Sequence, residues 1–141
     1  MDRWPDNRLS KQHPDWIAEM TDFQGLRVFV VEDEALLSLA MQDMLADLGC
    51  EVVGTAARLE AALKLAQSLA FDLAVLDVNL GGQRVDPVAD IITARGLPIV
   101  FVTGYGKDGA PRHVAGPVLE KPCEQVNLKK AFSAALAGRH D

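Results

Sequence analysis

The chain has 141 residues, a formal charge of −6, 49% hydrophobic residues and 24% charged ones. That length suits one domain with a respectable core, and the acidic balance argues against nonspecific nucleic-acid binding and against attraction to anionic membranes. No apolar run approaches transmembrane length, and Trp4-Pro5-Asp6-Asn7 stands where a signal-peptide core would lie.

Residues 1–24 are polar and hold both tryptophans, Trp4 and Trp16, with Pro14–Met20 able to form a helical turn or two. They read as an N-terminal extension: either a partly disordered leader ahead of a start at Met20, or an arm that docks on the domain or on a partner through its tryptophans. The domain proper is expected over 25–138. Leu26–Val31 reads as a first strand. Glu34–Leu48 has Leu37, Met41, Met44, Leu45 and Leu48 at helical spacing, with Gly49 placed to end the helix in the left-handed conformation. Glu51–Gly54 is a second strand, Leu59–Leu69 a second helix and Asp72–Leu76 a third strand. Val85–Ala94 follows as a helix whose first turn accepts Pro87. Pro98–Val102 and Pro117–Glu120 are the last strands, and Glu124–Leu136 the closing helix, with Val126, Leu128, Ala131, Phe132, Ala135 and Leu136 on its apolar side.

Short apolar runs separated by helices imply an α/β fold, a parallel sheet buried on both faces. Gly104–Gly116 carries four glycines and Pro111 where a crossover helix should lie. Glycine and proline oppose helix by about 1 and 3 kcal/mol, so the fourth helix is expected to be shortened or replaced by a loop.

In such sheets ligands bind at the carboxyl ends of the strands. Val28–Val31 runs into Glu32-Asp33, Leu73–Leu76 into Asp77, Ile99–Val102 into Thr103, and Val118-Leu119-Glu120 into Lys121-Pro122. Three converging carboxylates are costly unless a cation neutralises them, and Mg²⁺, hard and oxygen-seeking, is the natural one. Lys121 offers a compact cation for a phosphate oxygen or a carboxylate, and Thr103 a hydroxyl. Together they make a Mg²⁺ site that accepts and holds a phosphoryl group.

These segments, in this order and over about residues 26–137, resemble the receiver domains of two-component response regulators. The resemblance implies a flavodoxin-like, doubly wound five-stranded parallel sheet of order 2-1-3-4-5. It implies that Asp77 is the phosphoacceptor, supplied by a histidine kinase or phosphotransfer protein. Mg²⁺ would be held by Glu32 through water, by Asp33 and Asp77, and by the backbone carbonyl of Asn79. Thr103 and Lys121 would bind the phosphoryl group, and Lys121-Pro122 would be cis.

The departures are specific. Val118 stands where the family usually has an aromatic switch residue, so Tyr105 is either an exposed loop aromatic or a gate over the site. Gly81 replaces a usual proline, and Gly81-Gly82 is expected to loosen that loop. Cys123 replaces a bulky aromatic and, like Cys50, is expected to be a free thiol; the pair makes no disulfide framework, and a cytoplasmic location follows. The run Phe101-Val102-Thr103-Gly104-Tyr105 resembles a Phe-Ala-Thr-Gly-Tyr-like receiver subgroup of alphaproteobacteria, with Val102 in place of its alanine.

Because the chain stops at Asp141, the expectation is a stand-alone signalling receiver, a monomer or weak homodimer acting on an unknown downstream protein. The alternative is a phosphorylation-independent interaction module with the same fold. An enzyme is not expected: a haloacid-dehalogenase phosphatase wants Asp-x-Asp, which Asp33-Glu34-Ala35 lacks, and the three histidines are scattered.

Overall fold

The computed structural model describes residues 23–104 and 109–138. Trp4, Trp16 and Tyr105, each singled out above, lie outside those residues. Within them β1 (Arg27–Val31), β2 (Glu51–Ala56) and β3 (Leu73–Asp77) alternate with α1 (Ala35–Asp47) and α2 (Leu59–Ser68). A short hairpin of β4 (Asn79–Leu80) and β5 (Gln83–Arg84) precedes α3 (Asp86–Ala94). Then come β6 (Ile99–Thr103), β7 (Val118–Glu120) and α4 (Gln125–Ala137). The main sheet is parallel throughout, ordered β2-β1-β3-β6-β7, which is the expected 2-1-3-4-5 once the hairpin is set aside.

The sheet explains its own sequence. Side chains alternate between faces along a strand. Phe29, Val31, Leu76 and Phe101 point to one side, under Ala62 and Ala66 of α2 and Val88 and Ile92 of α3. Val28, Val30, Val75 and Val100 point to the other, under Met41 and Leu45 of α1 and Leu128 and Phe132 of α4. With both faces covered, β3 and β6 are buried at every position, so they read as continuous apolar runs rather than alternating ones. Each fully buried phenylalanine contributes about 1.5–3 kcal/mol of transfer free energy.

Several expectations meet different outcomes. As expected, no α-helix lies among the described residues between β6 and β7; Pro111 and Val114 are buried there, and Val114 joins the apolar layer that holds Val88 and Ile92 of α3. Val126 belongs to no apolar side: it is 56% exposed. Burial on α4 follows Leu128, Ala131, Phe132 and Ala135, and a residue two positions before Leu128 faces away from that stripe. Gly81-Gly82 does not make a loose loop. With φ of 58° and 92° the two glycines form the turn of the β4–β5 hairpin, a geometry that requires positive φ at both positions. Gly49 has φ of 88° just past α1, as its position suggested. Phe23, inside the 1–24 stretch, is 4% exposed and packs edge-on to Phe132 at 5.6 Å between ring centroids.

Candidate functional site

Four neighbouring strands end at one edge and deliver the polar residues together. Val31 pairs with Leu76, Asp77 with Val102, and Thr103 with Glu120, so the residues that follow each run emerge side by side. Carboxylate oxygens of Glu32, Asp33 and Asp77 lie within 4.8 Å of one another. The Lys121 ammonium donates to Asp77 Oδ2 at 2.9 Å and to Glu32 Oε2 at 3.3 Å. Glu34, not anticipated from the sequence although it continues the acidic run, brings Oε1 to 4.0 Å from the same ammonium.

Local backbone donors fix the carboxylates. The Glu34 N–H donates to Glu32 Oε2 at 3.0 Å and the Asn79 N–H to Asp77 Oδ1 at 3.1 Å, each two residues along the chain. Asp33 Oδ2 accepts the Gly81 N–H at 2.9 Å, which ties β1 to the hairpin turn. The side-chain oxygen of Asn79 is taken up within that turn by the Gly82 N–H at 2.7 Å. Asp77 is therefore held from both sides, by an ammonium on one oxygen and a backbone N–H on the other.

Burial makes the charges matter. Glu32 is 8% exposed, Asp77 4% and Thr103 2%, while Asp33 is open to solvent. Burial, reinforced by the Asp77 charge, pushes the Glu32 carboxyl up to about 7 against the pull of the Glu34 N–H and Lys121. Slight burial works to raise Asp33, but hydrogen bonds from the Gly81 N–H, from the Glu32 and Asp77 side chains and from its own backbone together outweigh it, and the group ends below its ordinary value. Burial works to lower Lys121, yet its hydrogen bond to Asp77 and the two carboxylate charges win, and it is raised. The lysine thus stays cationic inside an acidic nest.

Thr103 closes β6, and Gly109 lies against it. A β-carbon built on Gly109 would meet Thr103 Oγ1 at 2.7 Å and Val78 Cγ1 at 3.8 Å. Arg84, on the hairpin, donates from Nη2 to the Gly109 carbonyl at 2.8 Å and pairs with Asp86 at 3.0 Å. Neither Gly109 nor Arg84 carried a sequence signal of its own. The Lys121-Pro122 peptide is cis. Val118 is half-buried. Cys123 is half-buried too, and burial pushes its thiol up; Cys50, more deeply buried, is pushed up to about 12.

Residues 28–133 match the family model for the response regulator receiver domain. The chain belongs to that family. Receivers are the signalling modules of two-component systems. This one is similar to the Phyllosphere-induced regulator PhyR of Methylorubrum extorquens, 26% identical over 123 residues that make up 84% of this chain and 46% of PhyR. It is 34% identical over 82 residues to the transcriptional regulatory protein PdtaR of Mycobacterium tuberculosis, covering 57% of this chain and 40% of that one. The chain therefore spans less than half the length of these relatives. Its fold superimposes on the solution structure of SdrG from Sphingomonas melonis Fr1 with a TM-score of 0.71 at 37% identity, covering 79% of this receiver and 97% of SdrG. Among the described residues no helix is long and apolar enough to cross a membrane.

Proposed function

We propose that the receiver, spanning 25–138, accepts a phosphoryl group on Asp77 from a phosphohistidine of a histidine kinase or phosphotransfer protein. The observation that carries this reading is the pinning of Asp77 between the Lys121 ammonium at 2.9 Å and the Asn79 N–H at 3.1 Å, within a nest of carboxylates. An Asp77 oxygen attacks phosphorus, the P–N bond breaks, the imidazole leaves, and an acyl phosphate forms on the carboxylate. Phosphoryl transfer asks for positioning and charge neutralisation more than for covalent help, and this edge supplies both. Lys121 faces the developing charge on the phosphoryl oxygens. The Thr103 hydroxyl at the end of the next strand is the group that follows the bound phosphoryl.

The donor set fits Mg²⁺. Three carboxylates lie within 4.8 Å of one another, two of them, Glu32 and Asp77, pair with one ammonium, and all offer hard oxygens. Glu32, Asp33, Asp77 and the Asn79 carbonyl would hold the ion. Bound there, Mg²⁺ supplies neutralisation of charge shared by the attacking carboxylate and the phosphoryl group. A donor protein must come within reach of Asp77. Leu36 and Leu39, 81% and 57% exposed at the start of α1 beside Glu34, give it apolar ground to stand on. The expected setting is cytoplasmic.

Incubation with acetyl phosphate and Mg²⁺, read by intact mass, tests this. Wild type should gain one phosphoryl adduct that Asp77→Asn does not. A folded wild type that gains none from acetyl phosphate or from phosphorylated kinase would favour the phosphorylation-independent interaction module instead.

A further inference from the structure

At the opposite edge of the sheet the fold leaves an open trough. A cavity of about 520 Å³ lies between the last turn of α3 and the last turns of α4, floored by the starts of β6 and β7. Leu97, Pro98, Ile99, Pro117 and Ala135 make it largely apolar, and Thr93 and Ala134 stand exposed on its rims. It meets a second hollow of about 830 Å³, which shares Pro117 and Ala134 and runs along β7 and α4 up to Lys121. No helix covers this side among the described residues between β6 and β7.

We propose that the trough seats the chain's own N-terminal segment, with Trp16 as the side chain that fills it. Three observations select this occupant. First, 22 residues precede Phe23, and they carry both tryptophans and a cluster of apolar side chains at Trp16, Ile17 and Met20. Second, the segment joins the domain at this edge. Phe23 precedes β1 and packs on Phe132, and Ala135, a wall of the trough, lies one turn further along the same helix. Trp16 stands seven positions before Phe23, a reach of roughly 23 Å when extended, whereas one helical turn advances about 5.4 Å. Third, so short a tether gives a millimolar effective concentration, so a weak apolar contact suffices to hold the segment. A free partner of equal intrinsic affinity would compete poorly. The upper hollow ends at Lys121, so it links the trough to the phosphoacceptor edge along β7 and α4.

The tryptophans make the test direct, because the only two in the chain lie at positions 4 and 16. In full-length Trp4→Phe protein, Trp16 is the sole reporter. Its emission should be blue-shifted, and acrylamide should quench it severalfold less than in the urea-unfolded protein, unchanged on dilution. Ala134→Arg or Thr93→Arg, each a rim substitution at an exposed position, should shift the emission to the red and restore quenching while far-UV circular dichroism stays constant. If Ala134→Arg disturbs the fold, Thr93→Arg decides. Three results overturn the proposal: solvent-like emission in the parent, burial indifferent to both rim substitutions, or burial lost on dilution, which gives the trough to a second copy. None depends on phosphorylation of Asp77.

Discussion

The connection from Val78 to Val85 and the one from Gly104 to Pro117 leave the same edge of the sheet, and both are rich in glycine. The first folds back on itself as a hairpin, and its glycines are chosen for dihedral angle: Gly81 and Gly82 sit at φ of 58° and 92° with nothing within 4 Å of where a β-carbon would be. The second returns across the sheet, and two of its glycines are chosen for absence of bulk. A β-carbon on Gly116 would stand 2.6 Å from the Ile99 carbonyl oxygen, and one on Gly109 would stand 2.7 Å from Thr103 Oγ1. The same residue type thus answers a backbone requirement in one loop and a packing requirement in the other, and substitution separates the two.

Gly116→Ala should do the most damage to stability. Its neighbours are a backbone oxygen and the buried Phe101 ring at 3.1 Å, neither of which yields cheaply. Overpacking of this kind costs about 1–3 kcal/mol. Urea unfolding should show a lower midpoint with an unchanged slope; an unaltered midpoint would mean that β6 and β7 are not packed this closely. Gly109→Ala pushes on Thr103, a buried β-branched side chain that has little room to turn. If the hydroxyl is displaced from a bound phosphoryl group, the loss of about 1.4 kcal/mol slows phosphorylation by acetyl phosphate roughly tenfold. Equal rates in Gly109→Ala and wild type would remove Thr103 from the reaction.

On the hairpin side the expected loss is purely conformational. Gly82→Ala should cost about 1–2 kcal/mol, the strain of a left-handed backbone with a β-carbon. Gly104→Ala is its control: the position has open space around it and no positive φ, so thermal unfolding should barely move. If both behave alike, the hairpin turn does not have the geometry described.

That division was only half legible in the sequence. The strands and helices could be read because each long apolar run and each helical stripe is decided locally, by which faces are covered. The site could be read for a related reason: Glu32, Asp33, Asp77, Thr103 and Lys121 each end or follow a strand, and a parallel sheet brings such ends together whatever the loops do. The loops could not. Gly81-Gly82 and Gly104–Gly116 look alike as strings, and only tertiary neighbours say whether glycine is there for its φ or for its size. Val126 failed likewise, because it is apolar and helical yet two positions out of step with Leu128. Phe23 lay in a polar stretch, and nothing local marked it as a partner for Phe132 on the last helix.

The smallest expected effect is the one that joins the two loops. Arg84 belongs to the hairpin but donates to the Gly109 carbonyl at 2.8 Å, with Asp86 at 3.0 Å steadying its guanidinium. Half of the Arg84 side chain is exposed, and an exposed pair of this kind contributes less than about 1 kcal/mol, so Arg84→Ala alone should scarcely shift the urea midpoint. Its coupling is more telling. If the arginine is what holds the Gly109 backbone against Thr103, the methyl of Gly109→Ala can move away once the arginine is gone. The double variant should then lose less stability, and slow phosphorylation less, than the two single changes added together. Strict additivity would show that the second connection holds its place over Thr103 without help from the first, and that the two loops share the site but not a contact that matters.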